Sequence, residues 1–381
     1  MTNSLCMDIP DAALKKSSAD SFVMFGSSDI ADVRYITGFT STDPIVYIKK
    51  TGERGVIIVS QMELSRALKE ADCEVMTRAE AGLLDILKEE KDRWKALAAM
   101  IAGLAGNAIL VPSWFPIALA RELERYGPVI PDRGTIEGMR AKKNKREIEY
   151  IRNVQRATES AMDRAISLIR GSKPSNGVLY RGENPLTSEA IRAVIHKALF
   201  EQGCIASDTI VSCGSESGIP HAHGKGPLLE DEPIVIDIFP RDERTGYYSD
   251  MSRTVCKGEP SKEIIDMYAA VLDAQSLASK KIMAGVTGAD VHQSVVDLFS
   301  DRGFPSGKEG FVHNLGHGVG LDVHELPVVG PGGGELSAGN VITNEPGLYF
   351  PDVGGIRLED IGAVTKGGFD CFTRFQKELV L

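Results

Sequence analysis

The sequence carries no CxxC pair: its six cysteines, Cys6, Cys73, Cys204, Cys213, Cys256 and Cys371, stand singly along 381 residues. That spacing excludes zinc ribbons and thioredoxin-type redox motifs, and it is too sparse for a disulfide framework. Reduced thiols in a cytoplasmic protein are the expectation. Basic charge is also in short supply, since 43 Lys and Arg against 53 Asp and Glu leave a net charge of -10. Such a field repels nucleic acid and anionic lipid, so neither is expected as a partner. Long apolar runs are missing as well. The longest, Ala96 to Val111, is interrupted by Gly103, Gly106 and Asn107 and falls short of the roughly 20 residues of a membrane span; it reads as a helix end, a turn and a buried strand. The start, MTNSLCMDIPDAALKK, lacks a basic stretch followed by an apolar one, so no secretory signal is expected. Internal repeats and low-complexity tracts are absent too. What is present, 43% hydrophobic and 25% charged residues, is ordinary for a globular chain, and at roughly 150 residues per domain the length predicts two to three domains.

Between Ser21 and Pro131, short apolar runs (SFVMFG, PIVYIKK, GVIIVS, CEVM, AILVP) alternate with helical periodicity over 62–71, 81–101 and 116–127. This pattern predicts an α/β domain. A basic run, Arg140, Lys142, Lys143, Lys145 and Arg146, then opens a long helix with apolar spacing at Ile148, Ile151, Val154 and Ala157, which places a domain boundary between 136 and 146. Beside Glu147 and Glu149 the basic run reads as a solvated helix face rather than a nucleic-acid patch. The second half predicts helices over 187–203, 261–283 and 288–302 beside strand-like runs, an α+β arrangement. The domains expected are therefore 1–140 and 141–381.

Chemistry concentrates in four segments of the second half. Asp237 lies within the apolar run Ile234 to Phe239, where a bare carboxylate is costly to bury and needs a partner. The run ends in PRDERTG, and Tyr247 to Val255 reads as the returning strand of a hairpin. A turn centred between Glu243 and Arg244 would set Asp237 directly opposite Asp250, and like charges so placed repel unless a cation stands between them. FVHNLGHGVGLDVHELP brings His313, His317 and His324 together among glycines that let backbone approach a ligand. It is not the zincin HExxH, because Val328 occupies the second histidine position. NVITNEPGLYF leaves Glu345 at a strand end before Pro346, and GGIRLEDIGAV alternates Ile356 and Leu358 with Arg357 and Glu359. Asp237, Asp250, Glu345, Glu359 and one histidine form an oxygen-rich set suited to hard ions such as Mn2+. Four ionised carboxylates are balanced by two divalent ions about 3.5 to 4 Å apart better than by one. No serine nucleophile competes, since GSESG puts Glu216 where a GxSxG serine would stand.

These segments resemble the pita-bread metallopeptidases, the family of methionine aminopeptidase, prolidase and aminopeptidase P, and the resemblance runs the length of the chain. It implies the metal ligands Asp237, Asp250, His317 in GHGVG, Glu345 in NEPG and Glu359 in GIRLED, with His324 seven positions after His317. DVRYITGF is similar to the YLTGF stretch of the creatinase-type amino-terminal domain, which methionine aminopeptidases lack. His313 and Arg357, four before His317 and two before Glu359, resemble residues of the proline-specific branch and imply substrate binding. Creatinase shares the build without the ligands, so creatine hydrolysis is not expected. His221 in GIPHAHGKG resembles the histidine lining the substrate pocket, although His223 lies close enough to be confused with it. His196 and His292, on amphipathic helices, are assigned no role. Two departures stand out: Asp237 and Asp250 are two residues further apart than is usual, and Phe239 and Pro240 follow where the family has a glycine.

The fold expected is thus a creatinase-like α/β amino-terminal domain followed by an α+β pita-bread catalytic domain. The function implied is hydrolysis of Xaa-Pro bonds in proline-containing peptides, by a dipeptidase or an aminopeptidase, in a cytoplasmic homodimer. Two divalent metal ions are implied, Mn2+ first, with Co2+, Zn2+ or Fe2+ as alternatives. They would lower the pKa of a shared water, Glu345 would shuttle its proton, and His221 and His324 would steady the substrate and the developing oxyanion. The competing reading is a catalytically silent scaffold of the same fold.

Overall fold

In Ser21–Gly26 and Ile45–Lys50, successive side chains point to opposite faces of a pleated sheet, and both faces are apolar. Phe22, Met24 and Tyr47 pack into one core and Val23, Val46 and Ile48 into another. A sheet of that kind must be covered on both sides. The computed structural model, which describes residues 8–381 and so leaves Cys6 outside the described residues, shows how. A six-stranded mixed sheet runs in the order Glu74–Thr77, Val56–Val59, Ile45–Lys50, Ser21–Gly26, Ile109–Val111, Val129–Pro131, with helices over both faces. The helical run at 81–101 is two helices, Leu83–Glu89 and Arg93–Ala105. Asp92 accepts from the N–H groups of Trp94 and Lys95 and so starts the second. The helices Asp11–Ser17, Ala31–Thr37 and Thr135–Ala141 escape periodicity because seven residues make only two turns.

The chain divides into two units between Arg140 and Ala141. The second opens on a capping box: Asn144 accepts from the N–H groups of Arg146 and Glu147, Glu147 accepts from the N–H of Asn144, and Lys145–Arg170 follows. The basic run before it is not a uniformly solvated face. Lys145 and Arg146 are exposed, but Arg140 is buried on Asp32 (2.7 Å) and Lys143 is buried on Glu325, because each meets a buried carboxylate distant in sequence.

Two helix pairs each cover their own sheet. Lys145–Arg170 and Ser188–Phe200 pack on Ile210–Cys213, Pro233–Ile238 and Met251–Cys256. Lys262–Lys281 and Gly288–Asp301 pack on a five-stranded sheet ordered Glu325–Val329, Gly316–Gly318, Val341–Asn344, Asp360–Thr365, Gly368–Cys371. A further pair, Gly347–Phe350 and Gly354–Arg357, is buried along its length, so both faces of the GGIRLED segment are inside. Among the described residues no helix is long and apolar enough to cross a membrane.

The hairpin carrying the two aspartates differs from expectation. Asp237 pairs with Ser252 and Ile238 with Met251, so Asp250 does not lie directly opposite Asp237. The turn decides this. The Asp242 carboxylate accepts from both the N–H (2.6 Å) and the hydroxyl (2.7 Å) of Thr245, and the Asp242 N–H donates to Tyr247 O (3.0 Å). The turn is therefore centred one residue further along, and every partner moves by two. A shift of two keeps strand parity, which leaves Asp250 diagonal to Asp237 on one face.

Arg253, next to Ser252, points away from that face. It donates to Asp360 Oδ1 (2.9 Å) and to the carbonyls of Ser252, Glu359, Phe375 and Gln376. Removing Arg253 would leave four carbonyls without its donors and Asp360 with Lys377 as its remaining cation. Arg253→Ala is expected to destabilise the protein by about 3–5 kcal/mol in urea unfolding of the metal-free form; a loss under about 1 kcal/mol would contradict this account.

Candidate metal centre

The proposed carboxylate ligands stand where regular elements end, and the proposed histidine within a short strand. Asp237 is near the end of Pro233–Ile238, and Asp250 immediately precedes Met251–Cys256. His317 is central in Gly316–Gly318, a strand pressed so closely that a Cβ at Gly318 would lie 2.1 Å from Leu326 O. Glu345 follows Val341–Asn344, and Glu359 links Gly354–Arg357 to Asp360–Thr365. Buried polar contacts hold these ends: Gln275, on Lys262–Lys281, donates to the carbonyls of Asn344 (3.2 Å) and Leu358 (2.9 Å), the residues just before the two glutamates.

Asp250, His317 and Glu359 each bring one ligand atom to within 4.8 Å of the others. His317 Nδ1 lies 3.1 Å from Gly318 O, which assigns the proton to Nδ1 and aims Nε2 at Glu345 Oε1 (3.1 Å) and Asp250 Oδ2 (3.8 Å). Thr343 Oγ1 accepts from the His317 N–H and donates to Glu345 Oε1, both at 3.0 Å. Ser252 Oγ donates to Glu359 Oε2 (2.9 Å), and Arg357 holds Asp237 Oδ2 at 2.7 Å. The second oxygens are left bare: Asp237 Oδ1, Asp250 Oδ1 and Glu359 Oε1 are buried without a hydrogen-bond partner. Each such atom calls for an explanation, and two of the three belong to residues whose ligand atoms cluster with His317. The donor set, carboxylates with one imidazole, fits a divalent metal.

Without an ion, protons compensate. Burial and the neighbouring charge of Asp237 raise Asp250 well above the carboxylate range, and burial with the charge of Asp250 does the same to Glu359. Burial opposes charge on His317, yet its hydrogen bond to Glu345 and the charges of Glu345 and Asp250 lift it to about 9. Burial would raise Glu345, but His317 holds it down at about 2.

The remaining candidates separate into two groups. Arg357 is buried and spends its guanidinium on Asp237, Ser252 Oγ (2.9 Å), Tyr349 OH (2.8 Å) and Pro220 O (3.2 Å). Tyr349 OH in turn meets His313 Nε2 at 3.0 Å, while His313 Nδ1 lies 2.7 Å from Asn314 O. Arg357, Tyr349 and His313 thus form one chain leading to Asp237. His221, His223 and His324 are exposed to differing degrees; the His324 ring stands 4.3 Å from that of His317, and partial desolvation with the charge of His317 holds its pKa down. His196 bonds Thr209 Oγ1 (3.0 Å), and His292 Nδ1 accepts from the Leu315 N–H (3.2 Å), which accounts for both as structural. Sequence reasoning missed Tyr349, Thr343 and Ser252. The only available signal was that Ser252 and Thr343 sit two residues from a ligand, on its face of a strand.

Comparison with known proteins gives the family. The model of metallopeptidase family M24 matches residues 149–366, and that of the creatinase/prolidase N-terminal domain matches residues 11–141. The chain belongs to metallopeptidase family M24, in a prolidase-like form with a creatinase-type amino-terminal domain and the pita-bread fold. Membership implies divalent metal ions. A Pyrococcus horikoshii protein named Xaa-Pro dipeptidase is 29% identical over 358 residues, covering 92% of both chains. The crystal structure titled prolidase from Pyrococcus horikoshii OT3 superposes with a TM-score of 0.82 at 25% identity, covering 97% of this chain and 98% of that one. The structure titled X-Pro aminopeptidase from Thermotoga maritima reaches 0.80 at 25% identity, covering 97% and 100%.

A pH signature follows. The folded pKa of His317 lies above its ordinary 6.5, at about 9, and those of Asp250 and Glu359 are also raised. Stability from such groups is present when they are protonated and lost as pH rises through the folded values. The thermal midpoint of chelated protein is expected to fall between pH 6.5 and 9, and saturating Mn2+, which binds the deprotonated ligands, should cancel the fall. A flat or rising midpoint in chelator would contradict this reading.

Proposed function

We propose that the protein is a dinuclear metallopeptidase hydrolysing Xaa-Pro bonds, with Asp237, Asp250, His317, Glu345 and Glu359 holding two divalent ions, Mn2+ foremost. The observation that carries this reading is the set of three buried, unpartnered carboxylate oxygens, on Asp237, Asp250 and Glu359, the last two grouped with His317. Relatives named Xaa-Pro dipeptidase over nearly their whole length support the substrate class and favour dipeptides. Divalent ions supply Lewis acidity, polarising the scissile carbonyl and acidifying water.

The chain's own groups do the rest. Glu345, oriented by Thr343 and His317, takes the proton released when water attacks and passes it to the leaving nitrogen. His324, whose neutral form partial desolvation favours, and His221 donate to the substrate and to the charge developing on its carbonyl oxygen. His313 and Arg357 wall the proline side through Tyr349, Arg357 also fixing Asp237. Proline calls for a dedicated enzyme because its nitrogen carries no N–H for a general protease to bind, and its ring fixes φ.

With Mn2+ supplied, release of alanine from Ala-Pro is expected, with Ala-Pro-Ala cleaved more slowly if the dipeptidase reading holds, and chelator should abolish both. Glu345→Gln should lower kcat by about 100-fold or more. Failure to cleave either peptide with Mn2+, Co2+, Zn2+ or Fe2+ would favour the silent scaffold, and one bound ion per chain by elemental analysis would refute the dinuclear reading.

A further inference from the structure

Lys143 and Glu325 form an ion pair with side chains only 1% and 6% exposed, and neither takes part in the centre described above. Replacing a buried pair with apolar residues of similar volume is often neutral or stabilising, so stability alone does not account for it. Its location does. Glu325 directly follows His324, and its carboxylate turns back under the preceding loop: a Cβ on Gly320 would lie 2.3 Å from Glu325 Oε1. The glycine leaves the space that the carboxylate fills. The Gly320 N–H donates to Asp322 O (3.0 Å) and its carbonyl accepts from the Tyr248 N–H (2.8 Å), closing 320–325 around that carboxylate.

The lysine is anchored independently. Its N–H donates to Gly339 O (2.9 Å), Asn340 Nδ2 donates to Ala141 O (2.7 Å), and the capping box that starts Lys145–Arg170 follows at once. Glu147 completes the cluster, accepting from Tyr247 OH (2.7 Å) and the Asn144 N–H (2.7 Å). The imidazole of His324 meets another ring, that of His317, so its position depends on the loop that carries it. That loop is tied down one residue away, through Glu325 to Lys143.

We propose that the Lys143–Glu325 pair is a positioning device for His324, setting where its imidazole stands beside the metal centre; the role rests on the peptidase reading given above. Neither residue touches substrate. A misplacement of about 1 Å costs on the order of 100-fold in rate, which makes a tether adjacent to His324 worth a buried charge pair.

The test is Lys143→Met/Glu325→Leu, which removes both charges and leaves neither stranded; Lys143→Met alone would strand a carboxylate and confuse misfolding with misplacement. With Mn2+ and Ala-Pro, a double variant melting near the wild type is expected to lose about 10- to 100-fold in kcat with KM within about threefold. In a His324→Ala background the same pair of changes should cost nothing further, because the group it positions is gone. Undiminished kcat, or an equal loss in both backgrounds, overturns the proposal. If the double variant does not fold, Glu325→Gln is put through the same cycle. Should the wild-type protein cleave no Xaa-Pro peptide, the peptidase reading fails separately. Positioning is then read from the His324 ring cross-peak in NMR, identified by its loss in His324→Ala. That peak should shift or broaden in the double variant; an unchanged peak overturns the proposal.

Discussion

Negative charge without enough positive charge is the condition that organises the catalytic unit. Asp250, Glu345 and Glu359 crowd around a single imidazole with Asp237 beside Asp250, and the guanidinium committed to them is Arg357, which meets one oxygen of Asp237. Metal-free, the cluster resolves the excess by drawing protons onto Asp250, Glu359 and His317. A proton and a divalent ion compete for the same atoms, so metal binding releases protons and is favoured as pH rises. The same crowding that would weaken an ordinary core would favour a divalent ion.

Such crowding survives only if something rigid enforces it. Each half of the unit has a helix pair packed on its own sheet, with separate apolar cores. The proposed carboxylate ligands sit at or near strand ends, where backbone hydrogen bonds fix the Cα while the side chain clears the sheet. Cross-links between the halves are polar and buried: Thr254 Oγ1 accepts from the Arg357 N–H (2.9 Å), the Glu359 N–H donates to Ser252 O (3.1 Å), and Arg253 reaches Asp360. These fix the separation between the first sheet's aspartates and the second sheet's glutamates, which apolar contact alone would define only loosely.

Three of the ligand candidates stand beside a local signal: an aspartate in an apolar run, a histidine between glycines, a glutamate before a proline. The register of the aspartate hairpin was not legible in sequence, because the bond from Thr245 to Asp242 moves the turn by one residue, and no pattern of hydrophobicity reports a side chain capping its own turn. Lys143 was misread for a different reason. In sequence it is one of five basic residues at a helix start, and its partner lies far along the chain in another segment. Thr343, Ser252 and Tyr349 are hydroxyls that look the same in sequence whether they face solvent or orient a catalytic group. Their meaning comes from the fold.

The carboxylates of the proposed site are served differently from those of a structural polar network. Glu147 is buried as deeply as many of the ligands, yet both of its oxygens receive a proton donor, from Tyr247 and from the Asn144 backbone. Asp360 is likewise served on both oxygens, by Arg253 (2.9 Å) and Lys377 (2.6 Å). Asp237 and Glu359 are each served on one side only, by Arg357 and Ser252, and the other oxygen meets nothing. Had the cluster existed to hold the fold together, donors would have been placed on both sides, since an unserved buried oxygen costs roughly 1–3 kcal/mol. One oxygen held and one left bare is the arrangement of a ligand whose second bond is made to something that is not protein.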